Sequence, residues 1–181
     1  MSRDTDIAIV GGGLAGASMA NQLARQHSLP PERIVLIEPR LKEALAPAKE
    51  EVDLRVSAIS RSTERILAAC GVWERLSTGR INPYERMCVW DEGGKAQGSG
   101  AIHFDCADLG QPNLGYIVEN SLMQTALLEQ ARQAGVRLLA GQVARLESRD
   151  DALLVGLKDG SDIQVKLAIA ADGGDSPARQ M

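Results

Sequence analysis

One glycine-rich motif and one acidic residue have the types and spacing that could do chemistry. The motif runs from Gly11 to Gly16 as G-x-G-x-x-G, and Glu38 follows it. In this pattern the first glycine allows a tight turn, the second lets a pyrophosphate approach the backbone, and the third lets a helix pack closely on a strand. A carboxylate about 20 residues further on can accept hydrogen bonds from ribose hydroxyls. We therefore predict a dinucleotide site, whose cofactor-binding loop comprises Gly11, Gly13, Leu14, Ala15 and Gly16.

The charge of Glu38 narrows the kind of dinucleotide. A carboxylate beside the ribose 2′ position would repel a 2′-phosphate, which favours FAD or NAD over NADP. Arg40 follows two residues later, and we expect it to lie over the adenine or in solvent. The plainer alternative is a glycine-rich turn with Glu38 exposed on the surface.

These residues need a β-α-β unit to position them, and the sequence predicts one. Residues 7–10 form a short apolar run that is typical of a strand buried in a parallel sheet. Residues 14–26 carry small and apolar side chains at helical spacing, and Pro30 prevents the helix from continuing. Residues 34–37 form a second apolar strand that ends at Glu38.

The rest of the chain is predicted as further strands and two more helices. Residues 41–51 have no apolar period and are predicted to form a surface loop, and residues 62–70 a helix ending at Gly71. Asn120 is predicted to cap a helix that runs to Gly135. The other predicted strands are 87–90 and 102–104, joined across 93–100, then 116–118, 136–139, 143–147, 153–157 with a turn at Asp159-Gly160, and 167–171.

Composition excludes several classes of function. The chain has 181 residues, of which 44% are hydrophobic and 24% charged, and its net charge is -4. This describes one ordinary soluble domain, or slightly more, and an acidic balance argues against binding nucleic acid. Three cysteines and two histidines, without metal-ligand spacing, indicate no disulfide framework, no zinc site and no histidine-based triad. Since no signal peptide or membrane span is evident, we predict a cytoplasmic protein.

Four stretches together resemble the flavin-dependent aromatic hydroxylases, most closely their ubiquinone-biosynthesis branch. The stretches are Gly11–Gly16 with Glu38, Leu54–Ile59, Gly115–Asn120 and Ala171–Arg179. They follow the order of the family across the whole chain. The resemblance implies an α/β fold, namely a Rossmann-like FAD-binding domain over residues 1–181 with a parallel central sheet and a β-meander.

The resemblance also implies which other residues contact FAD. Arg55 would lie along the pyrophosphate and flavin, and Asn120 would reach the cofactor from the start of its helix. Val143 would contribute a backbone contact near the adenine, while Asp172 and Gly173 begin a fingerprint that serves both FAD and the pyridine nucleotide. The plainer alternatives are a surface cation for Arg55, a helix cap for Asn120, a core residue for Val143 and a turn residue for Asp172.

The function implied by the resemblance is an oxygen-dependent ring hydroxylation with NAD(P)H as co-substrate. The substrate would be a small phenol or quinol, in this branch a polyprenylated one, and FAD rather than a catalytic side chain would carry the chemistry. Such an enzyme would meet the inner membrane peripherally or join a ubiquinone-biosynthesis complex. Nothing basic or amphipathic in the sequence shows that contact.

The sequence also departs from this family. Its members continue well beyond this length, with a second Gly-Asp motif and a substrate domain, whereas the only Gly-Asp pair here is Gly174-Asp175. We therefore expect a fold that is incomplete relative to the family: a fragment, a truncated product or half of a split enzyme. It would need the missing C-terminal half or self-associate, and would not hydroxylate alone. Two alternatives stay open, a flavoprotein reductase or dehydrogenase with the same first half, and a non-catalytic module that binds adenine nucleotides.

Overall fold

A computed structural model describes residues 5–26, 28–46 and 50–181 of the chain. Its strands and helices are β1 (Ile7–Val10), α1 (Leu14–Ala24), β2 (Ile34–Glu38), α2 (Leu41–Ala44), β3 (Val56–Ser60), α3 (Arg61–Ala69), α4 (Trp73–Ser77), β4 (Ile81–Tyr84), β5 (Arg86–Val89), β6 (Ile102–Asp105), β7 (Gly115–Glu119), α5 (Asn120–Gln133), β8 (Arg137–Ala140), β9 (Val143–Arg149), β10 (Ala152–Leu157), β11 (Asp162–Val165) and β12 (Leu167–Ala170). Short 3-10 helices cover Pro31–Arg33, Cys106–Leu109 and Pro177–Gln180.

A parallel four-stranded sheet forms the centre of the fold, in the order β12-β1-β2-β8. Ile9 in β1 pairs with Ile169 on one side and with Leu36 on the other. All five residues of β2 are buried, as expected for a strand covered on both faces. The predicted β-α-β unit is confirmed, although α1 ends at Ala24 rather than at residue 26.

Helices α1 and α5 cover one face of this sheet. Ala17 and Ala20 of α1 are completely buried, and such small side chains let the helix lie close to its neighbours. Asn21 is also buried, and its Nδ2 donates to Ala17 O and to Leu127 O of α5, both at 2.8 Å. Beside α1, Cys70 follows α3 and is fully buried, with Sγ 3.8 Å from Ser18 O. The two main helices are therefore joined by a side-chain bridge as well as by apolar packing.

A three-stranded antiparallel meander, β9-β10-β11, covers the opposite face. Its inner side chains pack against those of β1 and β2, and the buried residues of this cluster are Ala8, Val10, Val35, Ile37, Val143, Val155, Leu157 and Val165. Gly160 has φ +88 in the predicted turn between β10 and β11, a conformation that suits glycine. The predicted fold class, an α/β domain with a parallel central sheet and a β-meander, is confirmed.

Two smaller sheets complete the structure. Strands β3, β7 and β4 form an antiparallel sheet in the order β3-β7-β4, and β5 pairs with β6 as a separate antiparallel ribbon. The ribbon confirms the predicted strands at 87–90 and 102–104. The sequence analysis had not identified β3, β4, β11 or the five-residue helix α4.

The loop predicted over residues 41–51 is wrong in its first part. Residues Leu41–Ala44 form α2, and Leu41 is buried in the core with helix α5 close by. One buried leucine per turn is enough to anchor such a short helix, but it produces no recognisable period in the sequence. Residues 47–49 of this prediction lie outside the described residues.

Candidate functional site

The glycine-rich loop connects β1 to α1 at the carboxyl end of the central sheet. Gly11 has φ +103, and a Cβ there would lie 2.4 Å from Ala171 O. A Cβ on Gly16 would lie 2.0 Å from Gly11 O. Because both approaches are to rigid backbone, only glycine fits at these two positions. The loop is thus held tightly against the ends of β1 and β12.

Gly13, in contrast, has open space beside it. A Cβ built on Gly13 would meet no atom within 4 Å, and Gly13 is the N-cap of α1 without any side-chain cap. Ala17 N–H, bonded to Gly13 O at 2.9 Å, is the first amide to bond within the helix. The preceding amides, which include Leu14 and Ala15, face the helix N-terminus, where partial positive charge favours phosphate. The space beside Gly13 therefore fits a pyrophosphate.

Glu38 lies at the end of β2 and is bonded directly to the glycine-rich loop. The residue is 9% exposed, Oε2 accepts Gly12 N–H at 2.7 Å, and Oε1 accepts Arg40 N–H at 3.0 Å. Each carboxylate oxygen keeps a second lone pair, so a ribose hydroxyl can still donate to it. The alternative of an exposed Glu38 is wrong. The residue both shapes the loop and offers an acceptor beside it.

Arg40 is exposed and directly precedes α2. Its backbone N–H bonds Glu38, and its carbonyl accepts Ala44 N–H at 2.9 Å. Among the described residues no partner is seen for its guanidinium. A contact of this side chain with the adenine stays a prediction.

Arg55 and Asn120 come together at one end of the β3-β7-β4 sheet. Asn120 N–H donates to Arg55 O at 3.0 Å, and Ser57 Oγ donates to Asn120 Oδ1 at 2.6 Å. The predicted cap role of Asn120 is wrong, because the N-cap is Glu119 and Asn120 is the first residue of α5. The strand conformation of β7 extends through Glu119, which moves the cap one residue back. The Asn120 side chain bonds β3 instead.

Val143 does not present its side chain to a ligand site. It is the first residue of β9, is buried, and belongs to the core between the meander and the central sheet. The structural alternative therefore holds for the side chain, and a backbone contact with the adenine stays a prediction.

Asp172 and Gly173 follow β12 beside the glycine-rich loop. Gly173 has φ +99. Asp172 Oδ1 accepts the Ser176 hydroxyl at 2.5 Å, and Oδ2 accepts Ala178 N–H at 2.9 Å. Burial opposes ionisation of Asp172, yet the hydrogen bonds from Ser176 and Ala178 hold its pKa below the usual value. The carboxylate thus shapes the turn, and the backbone around Gly173 is the part that faces outwards.

Gln124 is a contributor that sequence reasoning missed. From the second turn of α5, its Nε2 donates to Gly12 O at 2.8 Å. Together with the Glu38 bond to Gly12 N–H, this fixes both backbone polar groups of Gly12, and so the two peptide units that flank it. No local signal marks Gln124, because the contact joins residues 112 positions apart.

The arrangement of these residues is suited to binding a ligand. The loop, Glu38 and the Asp172 turn converge where parallel strands end, which is the position at which open α/β sheets bind ligands. Among the described residues no group of three or more His, Cys, Asp or Glu could hold a metal ion, and none of their helices is long and apolar enough to cross a membrane. The geometry defines a dinucleotide-binding domain of the Rossmann type.

Comparison with known families identifies the dinucleotide. The FAD binding domain family matches residues 4–181, so the chain belongs to this family and FAD is its cofactor. Among curated relatives, 3-demethoxyubiquinol 3-hydroxylase of Escherichia coli is 38% identical over 99% of the chain. The ubiquinone biosynthesis monooxygenase COQ6 of Mus musculus is 33% identical over 99%, and the ubiquinone hydroxylase UbiL of Rhodospirillum rubrum 33% over 97%. The chain spans 44%, 39% and 38% of these relatives, respectively.

Solved structures agree on the fold. The p-nitrophenol 4-monooxygenase PnpA of Pseudomonas putida superimposes with a TM-score of 0.70 at 19% identity, over 97% of this chain and 42% of PnpA. The flavin-dependent monooxygenase PieE, solved with FAD and substrate, gives 0.69 at 18% identity over 97% of this chain and 31% of PieE. The fold of this chain is therefore shared with part of each of these two monooxygenases.

Proposed function

We propose that residues 1–181 serve as the FAD-binding domain of an NAD(P)H- and oxygen-dependent monooxygenase that hydroxylates a small phenol or quinol in ubiquinone biosynthesis. The observation that carries the proposal is the open space at Gly13 beside Glu38, within a chain of the FAD binding domain family. The names of the E. coli, mouse and R. rubrum relatives support the choice of pathway.

The residues have distinct tasks in this proposal. The amides at the start of α1 and the backbone of Gly13 bind the pyrophosphate, and Glu38 accepts the ribose hydroxyls. Arg55 and Asn120 contact the cofactor from the adjacent sheet, and Gly173 approaches it from the end of β12. FAD, when bound, supplies the redox chemistry of hydroxylation, while the protein orients it.

We further propose that the native protein meets its substrate at a membrane surface, either peripherally or within a complex of ubiquinone-biosynthesis enzymes. A polyprenylated phenol partitions into lipid, since each buried CH₂ contributes about 0.8 kcal/mol. Flotation of the protein with liposomes, with and without such a phenol, tests this part independently of FAD binding.

The experiment that tests the main proposal begins with titration of the purified chain with FAD, followed by flavin fluorescence. Saturable binding is expected, and NAD or ATP should compete only weakly because they lack the flavin half. The native polypeptide is then assayed for NAD(P)H consumption with and without oxygen, and for a product heavier by one oxygen atom. Oxygen-independent oxidation of NAD(P)H would instead indicate a reductase, and absence of flavin binding would contradict the proposal altogether.

A further inference from the structure

The segment from Glu50 to Arg55 carries a predicted cofactor contact but has no apolar anchor of its own. Every residue in it is exposed, and Leu54 is 100% exposed. Segments with few buried contacts open at low free-energy cost. The position of Arg55 therefore depends on polar contacts that reach the segment from the rest of the fold.

Glu119 makes the central contact of this kind. Its side chain is 3% exposed, and Oε2 accepts the backbone N–H of Asp53 at 2.7 Å. Arg55 N–H in turn donates to Asp53 Oδ1 at 3.2 Å. A buried carboxylate on β7 thus fixes the residue that orients the backbone of Arg55.

Arg80 extends the same support. Its Nε lies 3.0 Å from Glu119 Oε1, its Nη2 donates to Oε2 at 3.3 Å, and its Nη1 donates to Glu50 O at 2.8 Å. Oε1 accepts no well-aligned hydrogen bond within the described part of the chain. The nearby positive charge of Arg80 is therefore what mainly offsets the cost of burying this oxygen. The pair therefore holds Glu50 and Asp53 at the same time.

Stability alone does not account for an ion pair whose carboxylate is buried while its arginine is one-third exposed, at 34%. Burying a carboxylate is costly, and apolar residues of similar volume often stabilise a fold as well or better than an ion pair. Here the pair forms hydrogen bonds with backbone groups of the exposed segment that ends at Arg55. The carbonyl of Arg55 in turn accepts Asn120 N–H. We propose that Glu119 and Arg80 are positioning residues that hold Arg55 in place to bind FAD, an inference that rests on the proposed function.

A double-mutant cycle tests this link. FAD dissociation constants are measured for the wild-type chain, Glu119→Gln, Arg55→Gln and the double variant, with amide hydrogen exchange of residues 50–55 measured without FAD. Arg75→Gln is the matched control, because Arg75 pairs with Glu129 and contacts no residue of the segment among those described. We expect Glu119→Gln to weaken FAD binding about tenfold and to accelerate exchange at Asp53, and Arg75→Gln to do neither.

The cycle separates positioning from a merely structural role. In the Arg55→Gln background, Glu119→Gln should weaken FAD binding by less than about twofold, because the side chain it positions is gone. An equal tenfold loss in both backgrounds, or unchanged affinity despite faster exchange, would overturn the inference while FAD binding by the wild type stands. Failure of the wild type to bind FAD would overturn the proposed function and this inference with it. Should Glu119→Gln not fold, Arg80→Lys replaces it, since an ammonium cannot bridge Glu119 and Glu50 in the same way.

Discussion

Ser57 Oγ lies 2.6 Å from Asn120 Oδ1 and donates its hydrogen bond to that oxygen. This bond uses one of the two lone pairs of the amide oxygen and fixes the orientation of the side chain, so that the NH₂ group is held on the side away from Ser57. Strand β3 therefore orients the amide of Asn120, and we expect its NH₂ group to donate to the acceptor-rich pyrophosphate or flavin of FAD.

Ser57→Ala should weaken FAD binding about fivefold, the equivalent of one hydrogen bond of about 1 kcal/mol. The amide of Asn120 would then turn freely and lose its orientation before binding. Ser57→Thr keeps the hydroxyl and should bind FAD like the wild type. Fluorescence titration of the three proteins is the measurement, and equal affinity of the alanine and threonine variants would show that the hydroxyl does not orient Asn120.

Gly13→Val and Gly16→Val should fail in different ways. Gly13 has φ -67 and open space around it, so valine fits the apoprotein but occupies the proposed pyrophosphate position. We expect normal thermal unfolding with loss of FAD binding. Valine at Gly16 would collide with Gly11 O and should lower the melting temperature markedly. Retention of FAD by Gly13→Val would remove this loop from the cofactor site.

Glu38→Ala should affect both the cofactor and the loop. Loss of hydrogen bonds between a charged acceptor and the ribose costs about 1.5 to 3 kcal/mol, or roughly ten- to a hundredfold in affinity for FAD. Gly12 N–H also loses its acceptor, so the apoprotein should melt earlier. Glu43→Ala on the exposed side of α2 is the control. A variant with reduced stability but unchanged FAD affinity would leave Glu38 a purely structural role.

Asp172 should make stability depend on pH at the acidic end. Its pKa in the folded protein lies below the ordinary value of 3.8, so the ionised form stabilises the fold. This contribution is complete above the unfolded-state pKa and is lost as the pH falls through the lower folded-state value. Urea unfolding of the wild type and Asp172→Asn should therefore differ most near neutral pH, and the difference should shrink below about pH 4. A difference that stays constant down to pH 3 would contradict the role given to these hydrogen bonds.

The β-α-β unit and the glycine-rich loop could be predicted because their signals are local. An apolar run, glycines with fixed spacing and a helical period lie within residues 7–38, and the close backbone approaches at Gly11 and Gly16 account for the motif. The predicted contacts between individual residues and FAD stay predictions, because the sequence and the fold define where the cofactor binds and not which of its atoms each residue meets.

The elements that were missed lack such signals. In β3 burial alternates, but the half-buried Ser57 is polar and the exposed Val56 is apolar, so the residue types do not show the alternation. In β4 no residue is fully buried, so no apolar face marks the strand. Gln124 and Glu119 act through contacts between distant parts of the chain. The cap of α5 was misplaced by one residue because residue type favours Asn120, whereas the extension of β7 decides where the helix begins.

The buried thiol of Cys70 can serve as a probe of local opening at α1. Burial raises the pKa of its thiol, against the opposing influence of Arg25 and Gln22, and α1 shields the sulfur. Cys88 and Cys106 are partly exposed. With those two replaced by serine, the rate at which an alkylating reagent consumes the remaining thiol reports how often α1 separates from the end of α3. Since α1 begins at the glycine-rich loop, we expect bound FAD to slow this alkylation. The ratio of the rates with and without FAD would measure how strongly the cofactor stabilises the packing of α1.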